Sequence, residues 1–353
     1  MSVALDIGRY EVKIVHIQKT PKGYALLGYG SEPLVSPDKE YDPEKIKFEQ
    51  SSAAILRLVD RMKIKPKSLK KLVTNLNNQI SNVRQVKLMN TEEEDEMKES
   101  LQLEARKHIP MDGSDVTIDF QILGEDPQNP EMVNILLVAS TQKNLNRHLE
   151  NVKQMGFPQG IVDADAVAIA NSYLVEHGLP EDGAHVFLNI GSTTSTLVVW
   201  GRVAPFFTRD IQIGGHHMTK ELVDKRNISY NEAENLKKSS EFNVSQAGVA
   251  SGAEGSFSIA VAEHTIYDSL VDEIRRSLRF YIKESSESNF HKLFLTGGGA
   301  RTNGLVEFIT EKLNIHTEIY NPIAQLHHDM KDVMEDASKY AIAVGLAIRG
   351  ELE

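Results

Sequence analysis

Leu5-Asp6-Ile7-Gly8-Arg9-Tyr10-Glu11-Val12-Lys13-Ile14-Val15 sets the reading of this chain, because a distant stretch repeats its pattern. That second stretch is Leu188-Asn189-Ile190-Gly191-Ser192-Thr193-Thr194-Ser195-Thr196-Leu197-Val198-Val199. Each runs as an apolar strand, an acid or amide, an apolar residue, glycine, small or polar residues, then a second apolar strand. Such a pattern is a β-hairpin with glycine and free backbone N–H groups in its turn and one polar side chain at its edge. Two copies, one in each half, imply two related lobes offering two hairpins to one ligand. Leu293-Phe294-Leu295-Thr296-Gly297-Gly298-Gly299-Ala300 adds a buried strand that runs into a glycine turn and then a helix. Backbone amides with no side chain in the way are what a phosphate needs, so the trio reads as a nucleotide cleft.

Composition narrows the partners. The 353 residues are 41% hydrophobic, enough for two lobes with substantial cores. With 39 basic and 50 acidic residues the net charge is −11, which argues against nucleic acid as the main partner. Cysteine is absent, so there is no disulfide or thiolate metal site, which fits a reducing compartment. No apolar run approaches the roughly 20 residues of a membrane span. The N-terminus opens directly into a strand without the regions of a signal peptide. The expectation is a cytoplasmic protein with no direct membrane insertion.

The chain divides as a first lobe over 1–82 and 161–183, an inserted subdomain over 83–160, and a second lobe over 184–353. In the first lobe, the hairpin and a strand over 23–30 precede a helix between Pro43 and Met62, then a strand over 71–76. The insert reads β-α-β-β-α. Its first helix starts from a cap at Thr91 with acidic Glu92, Glu93 and Glu94, and stops at Pro110. Its two later strands flank an exposed hairpin loop over 124–131. A helix over 166–174 leads to the second lobe, where residues 243–257 read as a loop or short irregular element and Ile266 to Tyr281 as a core-facing helix. Alternating strands and helices imply α/β layers.

Several residues could carry chemistry, each beside a plainer role. Asp6 could hold a magnesium-bound water or cap a turn. Lys13 could face phosphates or solvent. Gly191, Ser192, Thr193 and Thr194 could cradle phosphates or form a polar turn. Gly297, Gly298 and Gly299 imply close approach by a ligand, but lack the dinucleotide-binding spacing. The adjacent pairs His216-His217 and His327-His328 would point apart on regular elements and read as surface residues.

These residues resemble the actin/Hsp70-like nucleotide-binding superfamily. Within it the chain is similar to the PilM family of actin-like type IV pilus platform proteins, relatives of FtsA. The likeness covers the whole chain and rests on five stretches. They are Leu103-Glu104-Ala105-Arg106-Lys107-His108-Ile109-Pro110, Phe207-Thr208-Arg209-Asp210-Ile211-Gln212-Ile213-Gly214-Gly215, Asn231-Glu232-Ala233-Glu234-Asn235-Leu236-Lys237, Leu295 to Ala300, and Ala341-Ile342-Ala343-Val344-Gly345-Leu346-Ala347-Ile348-Arg349-Gly350.

The resemblance implies a two-lobed actin-like, ribonuclease H-like α/β fold that binds ATP or ADP with Mg2+. Gly8, Arg9, Tyr10 and Lys13 would meet the phosphates from one lobe, and Gly191, Ser192, Thr193 and Thr194 from the other. Gly214 and Gly215 would lie beside the ribose. Glu234, Lys237 and Lys238 would flank the adenosine, with Gly297, Gly298, Gly299 and Ala300 beneath it. Asp6 would hold the magnesium through water. Asn189 stands where the family carries Asp, which implies weak or absent hydrolysis, with Asp165 left to position water. The insert implies a groove for the N-terminal cytoplasmic peptide of a membrane-anchored PilN-like protein, through which the chain reaches the inner membrane. Pilus motor or platform proteins and self-association are further partners it implies. A small-molecule kinase of the superfamily is the competing reading. An FtsA-like membrane filament is disfavoured, because Arg349 to Glu353 supplies no amphipathic helix.

Overall fold

Val3, Leu5, Val12 and Ile14 are buried in one apolar cluster, while Ala4, Val15 and Ile17 are buried in another. The first hairpin is therefore apolar on both faces and has to sit inside a covered sheet. The computed structural model describes residues 1–36, 39–91, 94–107, 115–126, 128–158, 160–247, 263–328 and 336–352. Strands β1 (Ser2–Ile7), β2 (Glu11–Thr20) and β3 (Gly23–Pro33) form an antiparallel meander. Helix α1 (Phe48–Arg61) crosses back, and β4 (Leu72–Leu76) joins β1 in parallel.

The chain then leaves this sheet through β5 (Ser81–Met89), α2 (Glu94–Arg106), β6 (Val116–Asp126), β7 (Asn129–Thr141) and α3 (Gln142–Gln154). It returns as β8 (Ile161–Ala164), parallel to β4, which completes the order β3-β2-β1-β4-β8. Between departure and return, β5, β7 and β6 make a separate sheet in that order. Met97, Leu101 and Ala105 of α2 pack on Val133, Ile135 and Leu137 of that sheet. Where composition suggests a loop over 124–131, the strands instead run to Asp126 and restart at Asn129, with a register shift at Gly124. Asp126 tightens this hairpin by accepting from the Gln128 amide at 3.2 Å, and it pairs with Lys87 of β5 at 2.8 Å. Polar side chains there dress an exposed strand end.

Helix α4 (Asp165–His177) leads to the second sheet. Its strands are β9 (Ala184–Ile190), β10 (Ser195–Trp200) and β11 (Phe207–Ile211), followed by α5 (Gly215–Arg226), α6 (Tyr230–Lys238) and α7 (Ile266–Ser285). Next come β12 (Phe290–Thr296), α8 (Leu305–Leu313), β13 (Thr317–Ile319) and α9 (Ala341–Leu352). The order β11-β10-β9-β12-β13, with three antiparallel strands and two added in parallel, matches the first sheet strand for strand. The duplication read from the two hairpins therefore extends through each whole sheet. Glu92, Glu93 and Pro110, expected to bound α2, lie outside the described residues, as does 248–257; Asn243 caps a short turn over Val244–Gln246.

Helix α9 departs from its place in sequence. Grouped by number with the second lobe, it packs instead on β1, β2, β4 and α4. Nearly every residue from Ala341 to Ile348 is buried, so the helix is apolar all round and needs cover on every side. It finds that cover between the sheets, where one core joins Ala4 and Val73 of the first sheet to Phe187, Val198 and Phe294 of the second through α4 and α9. A Cβ on Gly345 would overlap the Ala168 carbonyl oxygen of α4. Gly345→Val is therefore expected to destabilise the fold by about 1–3 kcal/mol or more through overpacking. A Cβ on Gly298 meets nothing within 4 Å, so Gly298→Ala should leave the melting temperature unchanged in the same thermal-unfolding assay.

Candidate functional site

The parallel strands of both sheets end at one interlobe cleft, where a repeated α/β topology places its ligand. The cavity encloses about 230 Å³ and is lined by Asp6, Lys13, Asn75 and Asp165 from one side and Asn189, Ser192, Asp210 and Glu234 from the other. Of the residues nominated from sequence, Gly8, Arg9, Tyr10, Gly191, Thr193, Thr194, Gly215, Lys237, Lys238, Gly297, Gly298 and Gly299 also line it. Gly214 and Ala300 do not. Gly214 is the N-cap of α5, where its amide donates to His217 Nδ1 at 3.1 Å, and Ala300 is buried in the core of the second lobe. The turns need their glycines. A Cβ on Gly8 would stand 2.6 Å from the Glu11 carbonyl oxygen, and Gly297 has φ +84° and backs directly onto the Ile190 carbonyl.

In the first lobe Lys13 and Asp6 face each other across the hairpin, with Nζ 3.1 Å from Oδ2 and both groups buried. Burial alone would lower the Lys13 pKa, but the Asp6 and Glu11 carboxylates outweigh it and raise it above the ordinary lysine value. The ammonium therefore stays charged. Asn75 accepts from the Ile7 amide and donates to Asp165 Oδ1, both at 2.8 Å, which ties the β1 turn to the start of α4. Burial, with the Asp6 charge behind it, pushes the Asp165 carboxyl well above the usual carboxylate range.

In the second lobe Thr296 Oγ1 donates to Asn189 Oδ1 at 3.1 Å. The acidic group absent from β9 stands on β11, as Asp210, opposite Thr196 in the β10 register that also pairs Thr196 with Asn189. Asn78 of the first lobe donates to Asp210 Oδ1 at 2.9 Å and to Thr196 Oγ1 at 3.2 Å, so this cluster bridges the lobes. Sequence reasoning missed Asp210 as a cleft residue although it lies within a quoted family stretch. Its signal is the two-strand register, not any local motif.

On the α5–α6 side Lys237 is fully buried and donates to Gly215 O at 3.1 Å, Thr219 Oγ1 at 2.7 Å and Glu234 Oε2 at 2.7 Å. All three of its protons are spent on the protein, so its charge acts through Glu234. Lys238 pairs with Glu234 Oε1 at 2.7 Å. Burial would raise the Glu234 carboxyl, but the two lysines hold it down at about 2.

Four rings that sequence reading did not connect cluster beside the cleft, with Tyr10, His216 and Tyr230 in its lining and Tyr41 behind them. Tyr41 is buried, with Tyr10, His216 and Tyr230 around it at centroid distances of 4.9, 5.6 and 5.8 Å. Its phenol donates to the Arg9 carbonyl at 3.0 Å and lies 2.8 Å from Ser192 Oγ. With the phenol proton given to the carbonyl, the serine is the donor of the second bond. One side chain thus joins the two nominated turns. His216, expected at the surface, is half-buried and stacks on Tyr230. Burial, with Glu234 nearby, pushes Tyr10 up to about 12. Among the described residues no group of three His, Asp or Glu forms a metal site.

A family model described as type IV pilus assembly protein PilM matches residues 4–351. The fold is similar to that of a solved PilM–PilN type IV pilus biogenesis complex, with TM-score 0.75 and 23% identity over 99% of this chain and 98% of that chain. It is also similar to the ethanolamine utilization protein EutJ from Carboxydothermus hydrogenoformans, with TM-score 0.55 and 13% identity over 98% of this chain and 88% of that one. Component A of (R)-2-hydroxyglutaryl-CoA dehydratase from Acidaminococcus fermentans gives TM-score 0.51 and 9% identity over 99% and 97% of the two chains. With its two matched sheets, its interlobe cleft and a family match that spans nearly the whole sequence, the chain belongs to the type IV pilus assembly protein PilM family.

Proposed function

We propose that this chain is a nucleotide-responsive scaffold of pilus assembly, binding ATP or ADP between its lobes and the cytoplasmic N-terminal peptide of a PilN-like membrane protein. The observation that carries the nucleotide reading is the pair of topologically equivalent turns, at Gly8 and Gly191, lining one cavity with the Gly297–Gly299 turn. The donor set fits a polyphosphate: backbone amides, the hydroxyls of Ser192, Thr193 and Thr194, and a charged Lys13. Gly298, with open space before it, leaves room for a base or ribose. Magnesium, held through water at Asp6, would offset phosphate charge. Asn189 offers hydrogen bonds without the negative charge of an aspartate, which supports weak or absent hydrolysis. The partner reading rests on family membership and on the inserted sheet, an appendage that the cleft does not need. No helix among the described residues is long and apolar enough to cross a membrane, so recruitment through that partner is the proposed route.

Calorimetry with magnesium and either nucleotide should give a saturable heat, and its absence for both would reject the nucleotide reading. Tyr41→Phe removes the phenol bonds between the turns while keeping the ring. Losing one such bond, at about 0.5–1.5 kcal/mol, should speed release of a fluorescent nucleotide by about two- to tenfold in stopped-flow measurements. A synthetic peptide from the PilN-like partner should co-elute with the chain. Phosphate release as fast as an active ATPase, lost in Asp6→Ala, would contradict the weak-hydrolysis reading.

A further inference from the structure

Residues 61–71 read Arg-Met-Lys-Ile-Lys-Pro-Lys-Ser-Leu-Lys-Lys, six basic residues and no acid in a chain whose net charge is −11. Lys63, Lys65, Lys67 and Lys70 are exposed, and among the described residues none of them is in a salt bridge. The other two are engaged: Arg61 with Glu32 at 2.6 Å, and Lys71 with the Gly350 carbonyl at 3.0 Å. A charge run is usually just a solvated face, but this one is not isolated in space.

The first sheet brings more lysines to the same end. Val3 pairs with Leu72, and its amide donates to Lys71 O at 3.0 Å, so β1 and β4 begin side by side. Ser2 pairs with Ile17, which sets the β2–β3 turn, with exposed Lys19 and Lys22, beyond the start of β1. Val73 pairs with Ile161, so α3 feeds into β8 at this end and adds exposed Lys153. Among the described residues, acids also stand near these lysines, Glu150 one helical turn before Lys153 among them. Asp60 is exposed, while Glu351 accepts from the Lys19 amide at 2.7 Å. Asp6, Asn75 and Asp165 mark the opposite end of these strands, at the cleft.

We propose that this basic rim is a docking face for anionic phospholipid headgroups, which turns the cleft away from the bilayer. A polybasic surface gains attraction from each lysine near an anionic leaflet, while the acidic remainder of the molecule is repelled, so both terms select one orientation. The free cations come from three chain segments spread across the sheet and are all lysines. Point charges of that kind suit a diffuse polyanion, whereas recognition of individual carboxylates on an acidic protein favours the arginine fork. The rim does not depend on a filled cleft or a bound peptide.

Sedimentation of the full chain with vesicles tests the proposal. Phosphatidylcholine vesicles containing phosphatidylglycerol should pellet the chain at low salt, whereas pure phosphatidylcholine should not, and salt of about 0.5 M should release it. The variant K63E/K65E/K67E/K70E should bind about a thousandfold more weakly, given the contribution expected per lysine. The matching Lys→Gln set should fall in between, and unchanged melting curves would show that both sets are folded. No pelleting on anionic vesicles at low salt, or equal pelleting by both charge variants and the parent chain, would overturn the proposal. Retention on immobilised polyglutamate without vesicle binding would also overturn it, in favour of an acidic protein.

Discussion

The contact on which the architecture depends is between two helices of small residues, where Gly345 of α9 lies against the Ala168 carbonyl of α4. Interiors are packed to near-crystalline density, so the spacing of two helices is set by the side chains between them. Here Gly345 admits the α4 backbone directly, and alanines of both helices join Ile169, Val344 and Leu346 in one core that lies between the two sheets. That core fixes where the strand ends of the two lobes meet. Asp6 and Asn189, equivalent in the two hairpins, face one cavity because of it.

The cleft is closed from two directions by interactions of different character. Asn78 makes polar bonds across the floor to Asp210 and Thr196, and Tyr41 makes one phenol-centred contact across the mouth. Hydrogen bonds of this kind each contribute on the order of 1 kcal/mol, so the lobes are clasped without being locked. The Tyr41 phenol ties the Ser192 hydroxyl to the Arg9 carbonyl, so the clasp acts on the same two turns that line the cavity.

Legibility in the sequence followed the range of each interaction. Both hairpins, the glycine turn and the insert were readable because apolar alternation and turn glycines act within a few residues. The cleft nominations at Gly8, Gly191 and Gly297 came from the same local chemistry. What escaped was set by partners far along the chain. The residence of α9 in the first lobe follows from burial on all sides, which a window reads as a helix but cannot assign to a neighbour. Tyr41, Asn78 and Asp210 have no motif; Asn78 and Asp210 enter the cleft, and Tyr41 reaches its turns, only through a register or a crossing that folding supplies. Lys237 was read as a ligand-facing cation, yet its three protons are consumed by Gly215, Thr219 and Glu234.

The fate of those lysines explains how an acidic protein can still present a cleft suited to a polyanion. Lys13 is matched by Asp6 and Lys237 by Glu234, so neither ammonium is buried without a counter-charge, which would cost several kcal/mol. Each pair is held by hydrogen bonds beside a cleft-lining segment, Lys13 to Asp6 across the first hairpin and Lys237 to the Gly215 carbonyl at the start of α5, and so rigidifies the backbone there. Preorganised amides need no reorientation when an anion arrives, which is the condition under which dipoles stabilise charge best. The formal side-chain charge of the cleft lining stays near balance, so the proposed preference for phosphate rests on backbone geometry, and a run of unpaired lysines lies at the opposite end of the first sheet.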